Sequence, residues 1–276
     1  MKLDAQTIEK LKKKEIEMLE VFIDLCRKLN LKYYILGGTL LGAVRHQGFI
    51  PWDDDIDVCM PREDYEIFLE KGQELLPENL FIQNFKTDPN FSLCFAKIRD
   101  SQTAFIETSV KNLKINHGVF IDIFPLDYYP EDSTEQKKIE KKKKYYTNAI
   151  SKIYTIERKG FVKKLKGLVK KLVFLFVPYK KCVKELDSLY KSQPVSTLYA
   201  NHCGAWGKKE ITPVHWFGEG VELRFEGIKV NAPSMYHEWL TQVYGDYMQL
   251  PPEEKRVAHH YVEVVDLEKS YKECIK

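Results

Sequence analysis

The spacing of apolar residues along the chain predicts an alternation of helices and short strands. Residues 4–30 form the longest periodic stretch, in which apolar side chains recur every three or four positions with charged residues between them, as in an amphipathic helix. Apolar or alternating segments typical of strands come next, separated by further helical patterns. The predicted strands lie at 32–36, 55–60, 80–83, 92–99 and within 115–127, with a hairpin at 221–230, and the predicted helices lie at 39–44, 62–76 and 232–244.

A glycine pair succeeds the first predicted strand. Gly37 and Gly38 let the backbone approach a phosphate closely, and Thr39 begins a predicted helix whose N-terminus favours an anion. A glycine pair alone is also typical of an ordinary turn. Gly37, Gly38 and Thr39 are therefore candidate phosphate or nucleotide contacts. The acidic residues at 53–57 decide between such a site and an ordinary turn.

Four aspartates occur within the five residues 53–57. They repel one another unless solvent, a basic partner or a metal offsets their charge, and their oxygen atoms suit Mg²⁺ or Mn²⁺. In an extended chain the period of two places Asp55 and Asp57 on one face. A solvated acidic loop would not need the apolar Trp52 and Ile56 that interrupt the carboxylates, so the combination favours a metal site beside a phosphate site.

A further carboxylate, Asp122, lies inside the apolar stretch 115–127. An ionised side chain there is costly without a cation or hydrogen bonds, which predicts Asp122 as the third metal ligand. Asp127 is interpreted as a turn or supporting residue. His117 has two interpretations, a phosphate contact or proton carrier and, preferred here, a structural turn residue.

Three basic residues are candidate phosphate contacts. Lys97 and Arg99 are two positions apart and therefore share a face of their predicted strand, and Arg45 comes after the glycine pair. The alternative is that Lys97 and Arg99 pair with surface acids and that Arg45 pairs with the aspartate cluster. The sequence leaves both interpretations open.

The composition predicts a globular cytoplasmic protein. With 276 residues and 44% hydrophobic content, the chain can form one large domain or a core with an inserted subdomain. Six cysteines without paired spacing favour reduced thiols. The first residues contain no apolar signal core, and no stretch approaches the ~20 apolar residues of a membrane span.

The basic charge is concentrated in one segment. Residues 137–184 hold 17 Lys or Arg and 2 Asp or Glu, although the net charge of the whole chain is only +3. We therefore predict a basic helical insert at 131–195 between a catalytic core at 1–130 and a C-terminal part at 196–276. Residues 161–178 mix lysines with a broad apolar face, which suits peripheral membrane contact or a polyanion. The alternative is a helical hairpin packed on its own protein.

Three motifs resemble those of the LicD/fukutin-related family, a branch of the nucleotidyltransferase superfamily. They are GGTLLGAVRHQGFIPWDDDIDV at 37–58, HGVFIDIFPLD at 117–127 and YGDYMQLPPEEKRVAHH at 244–260. The resemblance covers most of the chain except the basic insert. It implies an α+β fold with a polymerase-beta-like mixed sheet flanked by helices. It also implies that the Asp-x-Asp pair is Asp55 and Asp57 and that Asp122 is the third carboxylate.

The function implied by the resemblance is transfer of a phosphorylated alcohol. LicD-like proteins typically move phosphocholine from CDP-choline onto a sugar hydroxyl of a surface glycan precursor and release CMP, and fukutin-related proteins use CDP-ribitol. Three carboxylates holding one or two Mg²⁺ ions suit displacement at phosphorus, with Asp122 also accepting the proton of the acceptor. Choline favours an aromatic cage. The available aromatic residues are Trp52, Trp206, Trp216 and Tyr65.

Two other functions use some of the same residues. A nucleotidyltransferase would attach a nucleoside monophosphate to a small molecule, RNA or protein through the same carboxylates and release pyrophosphate. A non-enzymatic nucleic-acid-binding protein would use the lysine run. Nucleic-acid binding is disfavoured, because it leaves Asp122 and the aspartate cluster unexplained.

Overall fold

The computed structural model describes residues 4–155, 161–257 and 260–275, apart from the side chains of 161–164. Helices and strands alternate along this part of the chain, with short 3₁₀ turns between some of them. The helices are α1 (Ala5–Leu29), α2 (Gly37–His46), α3 (Arg62–Lys71), α4 (Ser133–Ile150), α5 (Phe161–Val173), α6 (Tyr179–Lys191), α7 (Tyr236–Tyr244) and α8 (Tyr271–Cys274). The strands are β1 (Tyr34–Ile35), β2 (Asp57–Pro61), β3 (Leu80–Gln83), β4 (Ala96–Asp100), β5 (Ala104–Glu107), β6 (Val119–Tyr129), β7 (Leu198–Ala200), β8 (Ile211–Pro213), β9 (Val221–Phe225), β10 (Ile228–Ala232) and β11 (Val262–Asp266).

The first helix forms as its apolar periodicity predicts. The Asp4 side chain caps its N-terminus by accepting a hydrogen bond from the Thr7 amide, and Asn30 ends it in the left-handed conformation. One face of α1 is buried, and it contacts β6 at the centre of the molecule. The buried apolar residues are Leu11, Met18, Leu19, Phe22, Leu25 and Cys26.

A seven-stranded mixed sheet positions the candidate site. The order β1-β2-β6-β4-β3 forms its main path, and β7 and β8 extend it from the second half of β6. β2 runs parallel to β6, whereas the other pairings in this sheet are antiparallel. The expectation of a mixed sheet with helices, an α+β architecture, is confirmed. β6 is buried along nearly its whole length, which explains its almost uninterrupted apolar sequence.

Among the boundaries that differ from the expected ones, two matter for the site. Helix α2 begins at Gly37 rather than at Thr39, since Gly37 adopts a positive φ of 58° that lets the chain turn directly from β1 into the helix. Strand β2 begins at Asp57, so Asp55 lies in the preceding segment and not in the strand. The geometry of Asp55 therefore depends on a loop.

The basic region and the C-terminal part both return to the core. Helices α4 and α6 pack against each other, and β7 pairs with β6 while β11 pairs with β5. The division into 1–130, 131–195 and 196–276 stays a prediction, and residues 156–160 of the insert lie outside the described part. In the described part of the chain, every helix is too short or too polar to cross a bilayer.

Candidate active site

The pairing register of three central strands places two candidate ligands and a lysine in one row. Asp57 of β2 and Lys97 of β4 are both register partners of Asp122 in β6. Side chains at paired positions point to the same face of a sheet, so the three meet there. Lys97 Nζ lies 2.7 Å from Asp122 Oδ1, in an ion pair without the angles of a hydrogen bond.

Asp55 joins this row from the loop before β2. One oxygen atom of each of Asp55, Asp57 and Asp122 lies within 4.8 Å of the others. Asp53, Asp54 and Asp55 form a second group of the same dimensions, so Asp55 is shared by both groups. The structure thus brings together the three carboxylates predicted from the sequence.

His260 approaches the second acidic group from the far end of the chain. Its Nδ1 atom lies 3.1 Å from Asp54 Oδ1, and its Nε2 atom lies 4.0 Å from Asp55 Oδ2. Burial alone would lower the pKa of His260, but the hydrogen bond with Asp54 and the charge of Asp55 raise it to about 9. His260 therefore carries a positive charge at neutral pH and offsets part of the carboxylate charge.

The carboxylates raise the pKa of one another. Burial, and next the charge of Asp54, raises the pKa of Asp53 to about 6. Burial and the charge of Asp53 raise the pKa of Asp55 to about 7, and burial with Asp55 and Asp122 raises the pKa of Asp57. Burial and the proximity of like charges both favour the protonated form, so in the absence of a cation the ionised cluster is disfavoured.

The first turn of α2 lies against these carboxylates. A Cβ atom added to Gly37 would lie 2.7 Å from Asp57 Oδ2, and one added to Gly38 would lie 2.3 Å from Asp53 Oδ2. Both glycines line a cleft above the carboxylates, whereas Thr39 is buried and its hydroxyl accepts a hydrogen bond from the Asp57 amide at 2.8 Å. Thr39 thus fixes the start of β2, a contact that the sequence did not reveal.

The two β4 candidates for phosphate contacts are engaged inside the fold. Lys97 is 3% exposed, pairs with Asp122 and lies over the Phe120 ring, 3.3 Å from its centroid. Arg99 is 1% exposed and donates hydrogen bonds to Gln83 Oε1 at 2.8 Å and to the Gly118 carbonyl at 2.7 Å. The structure shows the pairing with acids that was the alternative for both residues, since Arg99 Nη2 also lies 3.7 Å from Glu107 Oε2. The acids are buried or half-buried and not on the surface.

The cleft above the carboxylates has a volume of about 920 Å³. Arg45 lines it and donates hydrogen bonds to the backbone carbonyls of Tyr247 at 2.8 Å and Gln249 at 3.3 Å. Burial lowers the pKa of Arg45. Arg45 therefore contacts the C-terminal motif rather than the aspartates.

Aromatic side chains form part of the cleft wall. Trp206 packs edge-to-face on Tyr244 with ring centroids 4.9 Å apart, and Lys209 Nζ lies 5.5 Å from the Trp206 centroid. The Arg256 guanidinium lies 5.6 Å from the centroid of Trp52. Both indole rings therefore already face a cation, the geometry that a quaternary ammonium would use.

Four other residues considered in the sequence lie in the core or against it. Tyr65 is buried beneath Arg62, Trp216 packs on the core, and His117 is fully buried with Nε2 2.9 Å from the Leu113 carbonyl. Asp127 forms a two-pronged ion pair with Arg62 at 2.7 and 2.8 Å. These contacts make His117 a structural histidine, as preferred, and Asp127 a supporting residue.

Sequence reasoning missed two charged residues of α1 beneath the cluster. Glu15 is 2% exposed, its Oε2 atom has no hydrogen-bond partner in the described structure, and burial, then Asp55 and Asp54, raise its pKa. Lys12 donates to the Ile50 carbonyl at 3.4 Å and lies over the Phe49 ring. The sequence did contain a signal for Glu15, because this charged residue lies on the apolar face of the α1 pattern, one turn after Leu11.

Comparison with known proteins identifies the family. Residues 30–162 match the family model described as LicD/FKTN/FKRP, nucleotidyltransferase domain. The chain is 33% identical over 260 residues to the lipopolysaccharide cholinephosphotransferase LicD of Haemophilus influenzae, covering 90% of this chain and 94% of that protein. The chain belongs to the LicD family. An uncharacterized protein of Rickettsia prowazekii is also 33% identical, over 144 residues that cover 50% of this chain and 49% of the relative.

The LicD-family site has the donor chemistry of a divalent metal centre. Asp55, Asp57 and Asp122 offer hard oxygen ligands within 4.8 Å of one another, which suits Mg²⁺. Burial and then the neighbouring carboxylates raise the pKa of Asp55 and of Asp57, and a bound cation would favour the ionised form of both. The residues therefore fit the metal that the resemblance implies.

Proposed function

We propose that this LicD-family enzyme is a Mg²⁺-dependent phosphotransferase that moves phosphocholine from CDP-choline onto a sugar hydroxyl of a cell-surface glycan or its lipid-linked precursor. The observation that carries the proposal is the row of Asp57 and Asp122, joined by Asp55, at the base of a large cleft. The name of the Haemophilus influenzae relative supports choline phosphate as the transferred group and lipopolysaccharide as the type of acceptor. We also assign the core to the nucleotidyltransferase fold, which the description of the matching family model supports.

The proposed reaction is displacement at the phosphorus atom that carries choline. The acceptor oxygen forms a bond to this phosphorus, the bond from phosphorus to the bridging oxygen breaks, and CMP leaves with that oxygen. Mg²⁺, or Mn²⁺ in its place, supplies charge neutralisation at the phosphates. We assign its ligands as Asp55, Asp57 and Asp122, and the proton of the acceptor hydroxyl passes to Asp122, whose position Lys97 fixes from the neighbouring strand.

The donor is held by groups on opposite sides of the cleft in this proposal. The backbone amides in the first turn of α2, at Gly37 and Gly38, bind phosphate oxygens, because the N-terminus of a helix favours anions. Arg45 borders the same cleft and supplies further positive charge. Trp206 and Trp52 receive the trimethylammonium group through their ring faces.

The proposed location is the cytoplasm. The six cysteines all lie in the described part of the chain and form no disulfide, and four of them are buried. This pattern is ordinary for a reducing compartment. Secretion into growth medium or periplasm with full activity would contradict the location without affecting the proposed reaction.

The decisive experiment is CMP release from CDP-choline, CDP-ribitol and CDP-glycerol with a cell-derived glycolipid acceptor, in Mg²⁺ or in EDTA. We expect release from CDP-choline that requires Mg²⁺ and falls at least about a hundredfold in Asp55→Asn and in Asp122→Asn, since each removes charge at the reacting centre. Asp24→Asn is the matched control, because Asp24 is an exposed aspartate of α1. It should leave the rate unchanged.

Other outcomes of this panel identify other functions. Release from CDP-ribitol or CDP-glycerol alone would keep the reaction class and replace the head group. Pyrophosphate release from a nucleoside triphosphate, with no CMP from any donor, would establish a nucleotidyltransferase. RNA binding that depends steeply on salt and is unaffected by Asp55→Asn would favour a nucleic-acid-binding protein.

A second measurement tests choline recognition. Trp206→Leu should raise KM for CDP-choline about five- to thirtyfold, the range expected for losing a cation–π contact in a partly dry site. The KM for CDP-glycerol should stay unchanged, because glycerol carries no cation. An equal rise for both donors would show that Trp206 contributes only shape to the cleft.

A further inference from the structure

Helix α5 presents an apolar face to solvent. Five of its residues have the spacing i, i+3, i+4, i+7 and i+8, which places them on one side of a helix. Their exposed fractions run from 49% to 66%. A helix of a soluble domain usually turns such a stripe toward the core. The five residues are Leu165, Leu168, Val169, Leu172 and Val173.

The opposite side of the same helix carries its least exposed residue. Within 165–173, Gly167 is the one buried residue. At 100° per residue, it lies about 180° around the helix from the middle of the apolar stripe. Lys166 and Lys171 lie between the two sides and are exposed. The helix is therefore oriented with its apolar stripe outward and its lysines along the borders of that stripe.

The end of α5 extends the exposed surface and fixes it to the molecule. Leu175 is 56% exposed and Phe176 is 92% exposed, whereas Phe174 and Val177 pack on the cluster that contains α4 and α6. Lys152 donates hydrogen bonds to the carbonyls of Phe174, Leu175 and Val177. Phe176 thus projects from a turn that is held in place on both sides.

The segment of sequence that carries this surface has charge of one sign. Residues 158–184 contain ten Lys or Arg and no Asp or Glu. A protein partner would need an acidic rim around an apolar groove, but an anionic lipid surface supplies negative headgroups beside acyl chains over any area. Lysines along both borders of an apolar stripe match that arrangement.

We infer that the α5 surface, defined by Leu165, Leu168, Val169, Leu172, Val173, Leu175 and Phe176, inserts into the interface of an anionic lipid bilayer. The sequence-based expectation of membrane contact covered the whole of 137–184, and the structure narrows it to this surface. The lysines of α4 are not required. The described residues that line the catalytic cleft include none of this surface, so membrane binding does not depend on the proposed reaction.

The test is co-sedimentation of the full-length protein with vesicles of phosphatidylcholine alone or of phosphatidylcholine mixed equally with phosphatidylglycerol. We expect binding to the anionic vesicles only. The double variant Leu172→Ser with Phe176→Ser should weaken it at least about tenfold, because it removes two of the inserted side chains. Lys166→Gln with Lys171→Gln should weaken it by a similar factor at low salt.

Matched controls distinguish insertion of the α5 surface from nonspecific binding to vesicles. Val195→Ser changes another apolar residue, 81% exposed, and Lys137→Gln with Lys141→Gln removes two exposed lysines of α4. Both controls should bind vesicles like the wild type. Because the α5 substitutions are at exposed positions, the thermal unfolding midpoint should be unchanged, and this is measured for every variant.

Three results would overturn the inference. They are absence of binding to anionic vesicles, binding that the α5 substitutions leave intact, and binding that the α4 control abolishes. A concentration-dependent dimer of the wild type that the Leu172→Ser, Phe176→Ser variant loses, without vesicle binding, would instead make the surface an interface between copies. The inference predicts that these variants release CMP at the wild-type rate when the acceptor is dispersed in detergent. A loss of CMP release would therefore indicate a defect in the reaction and not in membrane binding.

Discussion

The ion pair between Lys97 and Asp122 provides the sharpest test of how the site is built. Lys97 is 3% exposed and Asp122 is 6% exposed, and their charged atoms are 2.7 Å apart. At an effective dielectric constant of about 20, two unit charges at that distance attract by about 6 kcal/mol. Removing one partner of a buried pair costs about 3–5 kcal/mol, because the other charge is left uncompensated.

We expect Lys97→Met to lower the free energy of unfolding by about 3–5 kcal/mol. In a background of Asp122→Asn, the same substitution should cost about 2–3 kcal/mol less, since the ion-pair partner of Lys97 is already gone. Urea denaturation of the four proteins in EDTA measures this double-mutant cycle. EDTA is required because a bound cation would take over the role of the lysine.

An exposed pair of the same length is the control for this cycle. Lys138 Nζ and Glu135 Oε1 are also 2.7 Å apart, but their side chains are 61% and 53% exposed. Solvent and salt screen such pairs, so no measurable coupling is expected there. If the Lys97 and Asp122 substitutions are additive, the assignment of Lys97 as the counter-charge of Asp122 is refuted. A rise in KM for the nucleotide donor at unchanged stability would restore Lys97 as a phosphate contact.

Three further substitutions test neighbouring parts of the structure. Burial, with Asp55 and Asp54, raises the pKa of Glu15, so its contribution to folding is present below the unfolded pKa of about 4.3 and is lost as the pH rises toward the folded value. Glu15→Gln should therefore stabilise increasingly between pH 5 and pH 8, and a pH-independent effect in urea titrations would contradict this. Arg62→Met should cost about 3–5 kcal/mol in the same assay, since it strands buried Asp127, whereas Arg27→Met, at an exposed pair of equal 2.7 Å length, should not. Gly37→Ala should reduce CMP release far more than Gly227→Ala, because both glycines have positive φ but only the Cβ at 37 would meet Asp57; equal losses would mean that backbone strain alone is responsible.

Elements with local causes were predictable. Helix α1 results from its own periodicity and caps, and β6 results from an uninterrupted apolar run. Asp122 stood out because a carboxylate within such a run needs a compensating charge. The three ligand candidates could therefore be named from residue type and spacing alone, before any contact between them was known.

Contacts set by strand register were not predictable. Lys97 and Arg99 share a face in the sequence pattern, but which of them meets Asp122 depends on the alignment of β4 with β6. A shift of one residue would have turned Lys97 to the other face of the sheet. Alternation of side chains is a local property of each strand, whereas the pairing of neighbouring strands decides which side chains meet.

Contacts between residues distant in the sequence were not predicted, for the same reason. His260 lies 206 positions from Asp54, and the closing motif 244–260 offered two adjacent histidines without indicating which would reach the cluster. Thr39 was expected to contact a nucleotide, yet its hydroxyl accepts from the amide that starts β2. Both contacts depend on how α2 and the C-terminal segment pack against β2, and no local pattern records that packing.

A comparison of Asp127 and Asp122, two carboxylates on β6, favours interpreting the aspartate cluster as a functional site. Asp127 accepts hydrogen bonds from Nε and Nη2 of Arg62, at 2.7 and 2.8 Å, so both of its carboxylate oxygens have a cationic partner. Five positions earlier, Asp122 has a lysine but also stands beside Asp55 and Asp57, whose pKa values are raised by burial and then by the neighbouring carboxylates in spite of Lys97 and His260. Asp55 and Asp57 add negative charge beside a pair that Lys97 and Asp122 already complete, so a purely structural role does not account for them. Three carboxylates that meet at the base of a cleft, beside a strand whose other buried acid has an arginine partner at both oxygens, instead match a centre that is completed by a bound cation.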